Sequence, residues 1–263
     1  MDKPVEFSAA NDALCAQNIL SFLPQREIAG EAFLYDTIGS TSTVAKEMAG
    51  TGAGHGTVVI AEHQTAGRGR FGRSFHSPGQ RGIYMSIILD PARLGLSEPT
   101  LATVFASVVV CEATEALCVK TPQIKWVNDV FLDSKKICGI LTEATAQRII
   151  VGIGINFSTA PEEFPEEIRE SAGAIFPCGN PTISRNRLAG EVIGRLLAPA
   201  YGRAELLARY KQRLMVLGKD ILVTGAGQPY RATALDIDDT GRLIVRKNTG
   251  EVICLSAGEI SIR

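Results

Sequence analysis

The sequence has no CxxC pair among its six cysteines, Cys15, Cys111, Cys118, Cys138, Cys178 and Cys254, which argues against a zinc site. A disulfide framework is not expected either, because the chain has 263 residues and no export signal. The opening MDKPVEFSAA lacks the apolar core of a signal peptide and carries acids that a transit peptide avoids. Strongly apolar runs, such as residues 149–155, are far too short to cross a bilayer. Excess charge is missing too: the formal net charge is −1, with no global attraction to nucleic acid or anionic membrane. Any basic site must be local. These absences predict a cytoplasmic protein with no membrane partner.

What is present suffices for a full core. The chain is 45% hydrophobic and 21% charged, ordinary for a globular protein, and long enough for one main domain and a small second one. Residues 1–30 read as a leader with one short helix near 12–22. Residues 31–217 form the main body. Strands are expected at 33–37, 57–63 and 83–89, then at 124–127, 130–132, 137–144 and 149–157. Ser40, Thr41 and Ser42 offer N-cap hydroxyls to a helix running to about Met48. A second helix starts near Ser97, with Leu101, Val104, Phe105, Val108 and Val109 on one face. Residues 160–181 read as a surface loop, and 184–217 as helix broken near Pro199. Residues 218–263 alternate short strands with turns at 225–227, 239–241 and 248–250, a small β-barrel. The fold class is α+β, a mixed sheet flanked by helices.

The least ordinary segment is GRGRFGR at 67–73. It matches GxGxxG, but a dinucleotide site needs a helix opening on the last glycine, and a β run follows instead. A solvated basic loop and a nucleic-acid contact are the other plain readings. Anion binding fits better. Gly67 and Gly69 let backbone approach a phosphate, and Arg68 and Arg70 can grip phosphate or carboxylate bidentately.

Downstream, KWVND at 125–129 ends a strand on Asn128 and Asp129, and KICGIL at 136–141 puts Lys136 at the entrance of an apolar strand. Such a lysine can set a point charge on an anion, although a surface lysine is the ordinary alternative. Gly139 inside that strand suggests close approach by a ligand or another backbone. GIGIN at 152–156 repeats the signature with Gly154 and ends on Asn156, which is either a loop residue or a reader of an amide or purine edge.

In this order and spacing, the four motifs resemble those of the biotin protein ligase family, and the resemblance runs from about residue 33 to the end. It implies a class II synthetase-like catalytic fold with an SH3-like C-terminal barrel. Val127 stands where the family usually has proline, and Ser42 replaces a frequent asparagine. The leader is too short for a DNA-binding helix-turn-helix, so no DNA partner is expected.

The resemblance implies ATP-dependent conversion of biotin to biotinyl-5′-AMP, then transfer to a lysine of a biotin carboxyl carrier domain of a biotin-dependent carboxylase. Ser40, Thr41, Gln64, Gly67 and Arg68 would line the biotin end, with Gly139 and Leu141 opposite. Arg68, Arg70 and Lys136 would hold carboxylate and phosphates, with Gly69 and Gly154 at the nucleotide. Asn128 and Asp129 would lie near the triphosphate and the Mg²⁺ that ATP brings; no resident metal is implied. Phe75 would stack on adenine, with core packing as its alternative, and Asn156 would contact the nucleotide. Asp129 is the hypothesised base for the acceptor lysine. A monomer or homodimer is expected. A lipoate or octanoate transferase of the same architecture is the nearest alternative, but its own glycine-rich motif is not found here.

Overall fold

The computed structural model describes residues 12–23, 29–96, 98–224, 228–256 and 258–262. A short helix, α1 (Ala16–Ser21), precedes β1 (Ala32–Ile38), α2 (Thr41–Gly50), β2 (Val58–Gln64) and β3 (Gly82–Leu89). There follow α3 (Pro91–Leu94), the long α4 (Pro99–Cys118), β4 (Gln123–Lys125), β5 (Asp129–Leu132), β6 (Lys135–Ala144) and β7 (Ile149–Asn156). Three helices, α5 (Glu166–Arg169), α6 (Arg185–Leu197) and α7 (Arg203–Arg213), complete the body. The C-terminal strands are β8 (Asp220–Thr224), β9 (Tyr230–Ile237), β10 (Leu243–Lys247), β11 (Val252–Leu255) and β12 (Glu259–Ile262).

The main sheet has the order β1-β2-β3-β7-β6-β5-β4. Among the described strands of this sheet, β1 and β2 pair in parallel, across the α2 connection, and the other pairs are antiparallel. Side chains on a strand alternate between faces, and the core divides accordingly. Val59, Ile88 and Ile150 pack with Ala45 of α2 on one face. Val58, Ile60, Ile87 and Val151 join α4 and α6 on the other. The central strands are therefore apolar at nearly every position.

Helix α4 departs from the amphipathic expectation. Residues 101–114 are buried all round, because the sheet covers one side and α6 and α7 the other. Its length and mean hydropathy of 1.7 would suffice to cross a membrane, although polar residues interrupt its apolar run. Here 78% of that window is buried inside the protein, so α4 serves as the core helix.

Two further expectations shift. Residues 160–181 are not simply a surface loop: they carry α5 and bury Phe164, Ile175 and Phe176, the last edge-on to Phe157 at 5.1 Å. The leader, as far as it is described, is packed into the body. Leu14, Ile19 and Leu23 join the core, and the buried Arg185 of α6 pairs with Asp12 and with Glu62 of β2. Residues 1–11 and 24–28 lie outside the described residues.

The C-terminal sheet is antiparallel with the order β11-β10-β9-β8-β12. Its turns at Gly241 and Gly250 use left-handed backbone (φ 83° and 89°), which explains the glycines. The expected turn at 225–227 lies outside the described residues. Ile221, Val223, Ala234 and Ile260 of this sheet belong to the same hydrophobic cluster as the main body.

Candidate active site

The glycines of β6 and β7 fall on one face. Gly139 pairs with Gly154 and Leu141 with Gly152 across the two strands, and this is the face that α2 covers nearby. Missing side chains there leave a shelf in the sheet. It floors an open cleft whose empty space, with its solvent-filled mouth, is about 890 Å³, lined by residues from α2, the arginine loop, β6, β7 and the C-terminal sheet. The Phe75 ring lies on the shelf: a Cβ at Gly154 would stand 2.5 Å from it, and one at Gly139 would stand 3.1 Å from it. At Gly152 a Cβ would meet Ser42 Oγ at 2.4 Å. The glycines thus admit protein groups as well as any ligand.

One end of the cleft is neutral and hydrogen-bonded. The expected hydroxyl caps are absent: neither Ser40 nor Thr41 caps α2 with its side chain. Gln64, at the end of β2, takes that role. Its Oε1 accepts from Thr41 N–H at 2.8 Å and from Thr41 Oγ1 at 3.1 Å, and its Nε2 donates to Ser77 Oγ at 2.9 Å. Ser86 of β3 donates to Thr41 Oγ1 at 2.8 Å, so its single proton is spent and Ser42 supplies the one between Ser42 and Ser86, 3.1 Å apart. Ser40 Oγ is buried and, among the described residues, has no partner. Among the described residues, Gln64 keeps one N–H unspent.

The arginine loop closes the other end as a small hairpin. Gly69 N–H donates to Arg73 O, Phe75 N–H donates to Gly67 O, and Arg68 bridges Ser74. Gly67 is outside the cleft wall; a Cβ there would lie 2.5 Å from Phe75 O, so it serves the hairpin's close approach. Arg68 pairs bidentately with Glu143 of β6 at 2.9 and 3.2 Å. Arg73 pairs with Glu259 of β12 at 2.5 Å, which raises its pKa. Arg70 has neutral partners: Nη1 donates to Asn128 Oδ1 at 2.8 Å and Nη2 to Gly258 O at 3.0 Å. Burial pulls its pKa down, against the pull of Asp129 and Glu259, yet a guanidinium stays charged. The tip residue Phe71 is 63% exposed, with Arg70 4.8 Å from its ring centroid.

Lys136 Nζ stands 2.7 Å from Asp129 Oδ1 and faces Gly139. Asn128 has both amide ends engaged, since Nδ2 donates to Ile140 O at 2.9 Å while Oδ1 holds Arg70. The Asn156 side chain is spent on the protein itself. It is 5% exposed, outside the cleft wall, and donates to the backbone carbonyl of Gly173 at 2.9 Å. Its amide ties the 171–176 segment to β7. The remaining expected residues, Ser40, Thr41, Gln64, Arg68, Gly69, Arg70, Phe75, Asn128, Asp129, Lys136, Gly139, Leu141 and Gly154, all line the cleft.

Sequence reading missed Ser86, Glu143 and Glu259. A lone serine inside the apolar run of β3 was a usable signal for Ser86. Glu143 and Glu259 gave none, because a surface acid looks the same whatever it faces.

Comparison with known proteins agrees with this geometry. Residues 34–158 match the Biotin/lipoate A/B protein ligase family, and residues 216–263 match the Biotin protein ligase C terminal domain. The chain is 31% identical to the biotin–[acetyl-CoA-carboxylase] ligase of Mycobacterium tuberculosis, over 84% of this chain and 85% of that protein. It is 31% identical to the bifunctional ligase/repressor BirA of Bacillus subtilis, over 89% of this chain and 75% of BirA. The biotin protein ligase of Aquifex aeolicus in complex with biotin and ATP superposes with a TM-score of 0.76 at 26% identity, over 89% of this chain and 98% of that one. The chain belongs to the biotin protein ligase family.

Proposed function

We propose that this protein is an ATP-dependent biotin protein ligase. A biotin carboxylate oxygen attacks the α-phosphorus of ATP, the bond to pyrophosphate breaks, and biotinyl-5′-AMP forms. The amine of an acceptor lysine on a biotin carboxyl carrier domain then attacks the acyl carbon. AMP leaves, and the nitrogen gives up its proton to form the amide. The observation that carries this reading is one cleft with a neutral hydrogen-bonding end and a cationic end.

The neutral end suits a ureido ring. The buried Ser40 hydroxyl and the spare Gln64 N–H offer hydrogen bonds to a urea in a site already fixed by Thr41 and Ser86. A dithiolane or plain acyl chain would leave both groups unpaired, which disfavours lipoate and octanoate. At the other end, Arg68 receives the carboxylate, while Arg70 and Lys136 face the phosphates. Both partners of the first step are anions, so fixed positive charge must hold them together. Arg70 is prepared for this because neutral oxygens hold it and, among the described residues, no carboxylate pairs with it directly. Phe75 offers its free surface to the adenine. Asp129, now paired with Lys136, is the proposed base for the acceptor lysine's proton. The near-zero net charge supports an enzyme working without a DNA or membrane partner.

Incubation with labelled biotin or labelled lipoate, ATP and a carboxyl-carrier domain tests the reading. ATP-dependent label on the carrier lysine from biotin alone is expected. Transfer from lipoate and none from biotin would overturn it.

A further inference from the structure

Asn128 aims Arg70 into the cleft, and what aims Asn128 lies behind the sheet. The turn 126–128 joins β4 to β5 and is gripped from two sides. Trp126 Nε1 donates to Gly241 O of the C-terminal sheet at 3.0 Å. Tyr210 of α7 donates its hydroxyl to Val127 O at 3.0 Å. Ser107 Oγ also lies 3.4 Å from Val127 O, but its one proton goes to Thr103 O at 2.8 Å. Tyr210 is therefore the donor that fixes this carbonyl. The next residue carries the consequence: Asn128 O accepts from Ile140 N–H at 3.0 Å, its Nδ2 returns to Ile140 O, and its Oδ1 holds Arg70 Nη1.

We infer that Tyr210 is a positioning residue for the adenylation step: through Val127 and Asn128 it sets the guanidinium of Arg70 where charge builds on the phosphate. This rests on the ligase reading above. The tyrosine is fully buried and touches neither the cleft nor any ligand space. Plain core packing would need only the ring. The hydroxyl meets the one carbonyl that precedes Asn128, and burial raises its pKa well above the ordinary phenol value. It therefore stays a donor at every working pH. Angular error at Val127 is passed on because both amide ends of Asn128 are tied, leaving the side chain no freedom to compensate. Arg70 then meets the phosphate off line, a fault that matters in the transition state more than in ground-state binding.

The test is Tyr210→Phe in the full chain, read by pyrophosphate release with saturating biotin and ATP, and by biotin Kd. Expected is a fall in kcat of about tenfold with biotin Kd within about twofold. In an Asn128→Ala background, where the path to Arg70 is already cut, Tyr210→Phe should have no further effect on kcat. Three results would overturn the inference: wild-type kcat in Tyr210→Phe, parallel loss of kcat and biotin affinity, or the same fold-loss with and without Asn128. Should the phenylalanine variant not fold, Tyr210→Met removes the same donor with a flexible filler, and the same three readouts apply. A wild-type chain that releases no pyrophosphate with biotin and ATP would instead sink the ligase reading, which is a distinguishable outcome.

Discussion

At the Gln64 end of the cleft, nearly every polar group is spent on another protein group rooted in the sheet. At the arginine end, Arg68 and Arg73 are held by a hairpin and by partly exposed ion pairs. The first arrangement is built before substrate arrives; the second has to exchange bonds. Arg68 and Arg73 are 44% and 65% exposed in their ion pairs. Pairs of that kind contribute about 1 kcal/mol or less, so their exchange for a substrate anion costs little. A closed loop and an accessible site are therefore compatible. The neutral end has no such slack, because each lost bond leaves a buried donor or acceptor unpaired.

The largest expected effect breaks the cationic end. Lys136→Ala should lower the rate of biotinyl-AMP formation by about 10²–10³-fold while biotin Kd changes only a few-fold. Equal losses in both would make Lys136 a simple binding group and erase the contrast between the ends. The reverse pattern is expected at Gln64. Gln64→Ala should weaken biotin binding by about 10–100-fold, the worth of one or two buried hydrogen bonds. Calorimetry checks that number, and the adenylation rate of bound biotin should fall much less.

A smaller effect concerns the latch between hairpin and C-terminal sheet. Glu259→Gln removes the charge that pairs with Arg73, so trypsin should cut the 68–73 segment several-fold faster than in the wild type. Biotin plus ATP should restore protection in both. Identical cleavage rates without ligand would show that the pair does not hold the loop.

The smallest effect lies in the turn behind Trp126. Burial acts to raise the Asp238 pKa, but hydrogen bonds from Thr240 and Arg242 outweigh it and bring it to about 2. A folded-state pKa below the ordinary carboxylate value means stability that is present above pH 4 and lost as pH falls toward 2. Asp238→Asn should lower Tm by about 2 °C at pH 7. The gap to the wild type should close on acidification. A gap unchanged between pH 7 and pH 3 would remove the ionised carboxylate from that role.

Much of the cleft was legible in the sequence because its motifs are local. Gly139 and Gly154 advertised a bare strand face, and the arginines advertised a local cluster of positive charge. The partner of the Asn156 side chain was not legible, for the opposite reason. A polar residue ending a strand looks the same whether it faces a ligand or a neighbouring carbonyl, and only the 171–176 segment, folded back on β7, decides which. The Ser40 cap failed likewise, since the group that caps α2 comes from Gln64, 23 residues away from Thr41. Glu143 and Glu259 were invisible because their partners are remote in the chain.

The sequence by itself determined the chemistry available: four motifs that carry glycine, arginine, lysine and amide groups in a fixed order, on strands whose alternation is dictated by the pleat. The tertiary structure alone decided which of those groups are free. Hydrogen bonds and ion pairs between distant segments assign Arg68 to Glu143, Arg73 to Glu259 and Asn156 to a backbone carbonyl, and among the described residues they leave Ser40 Oγ unpartnered and Arg70 on neutral oxygens. Such pairings depend on distances of about 3 Å between residues far apart in sequence, and local pattern does not encode them.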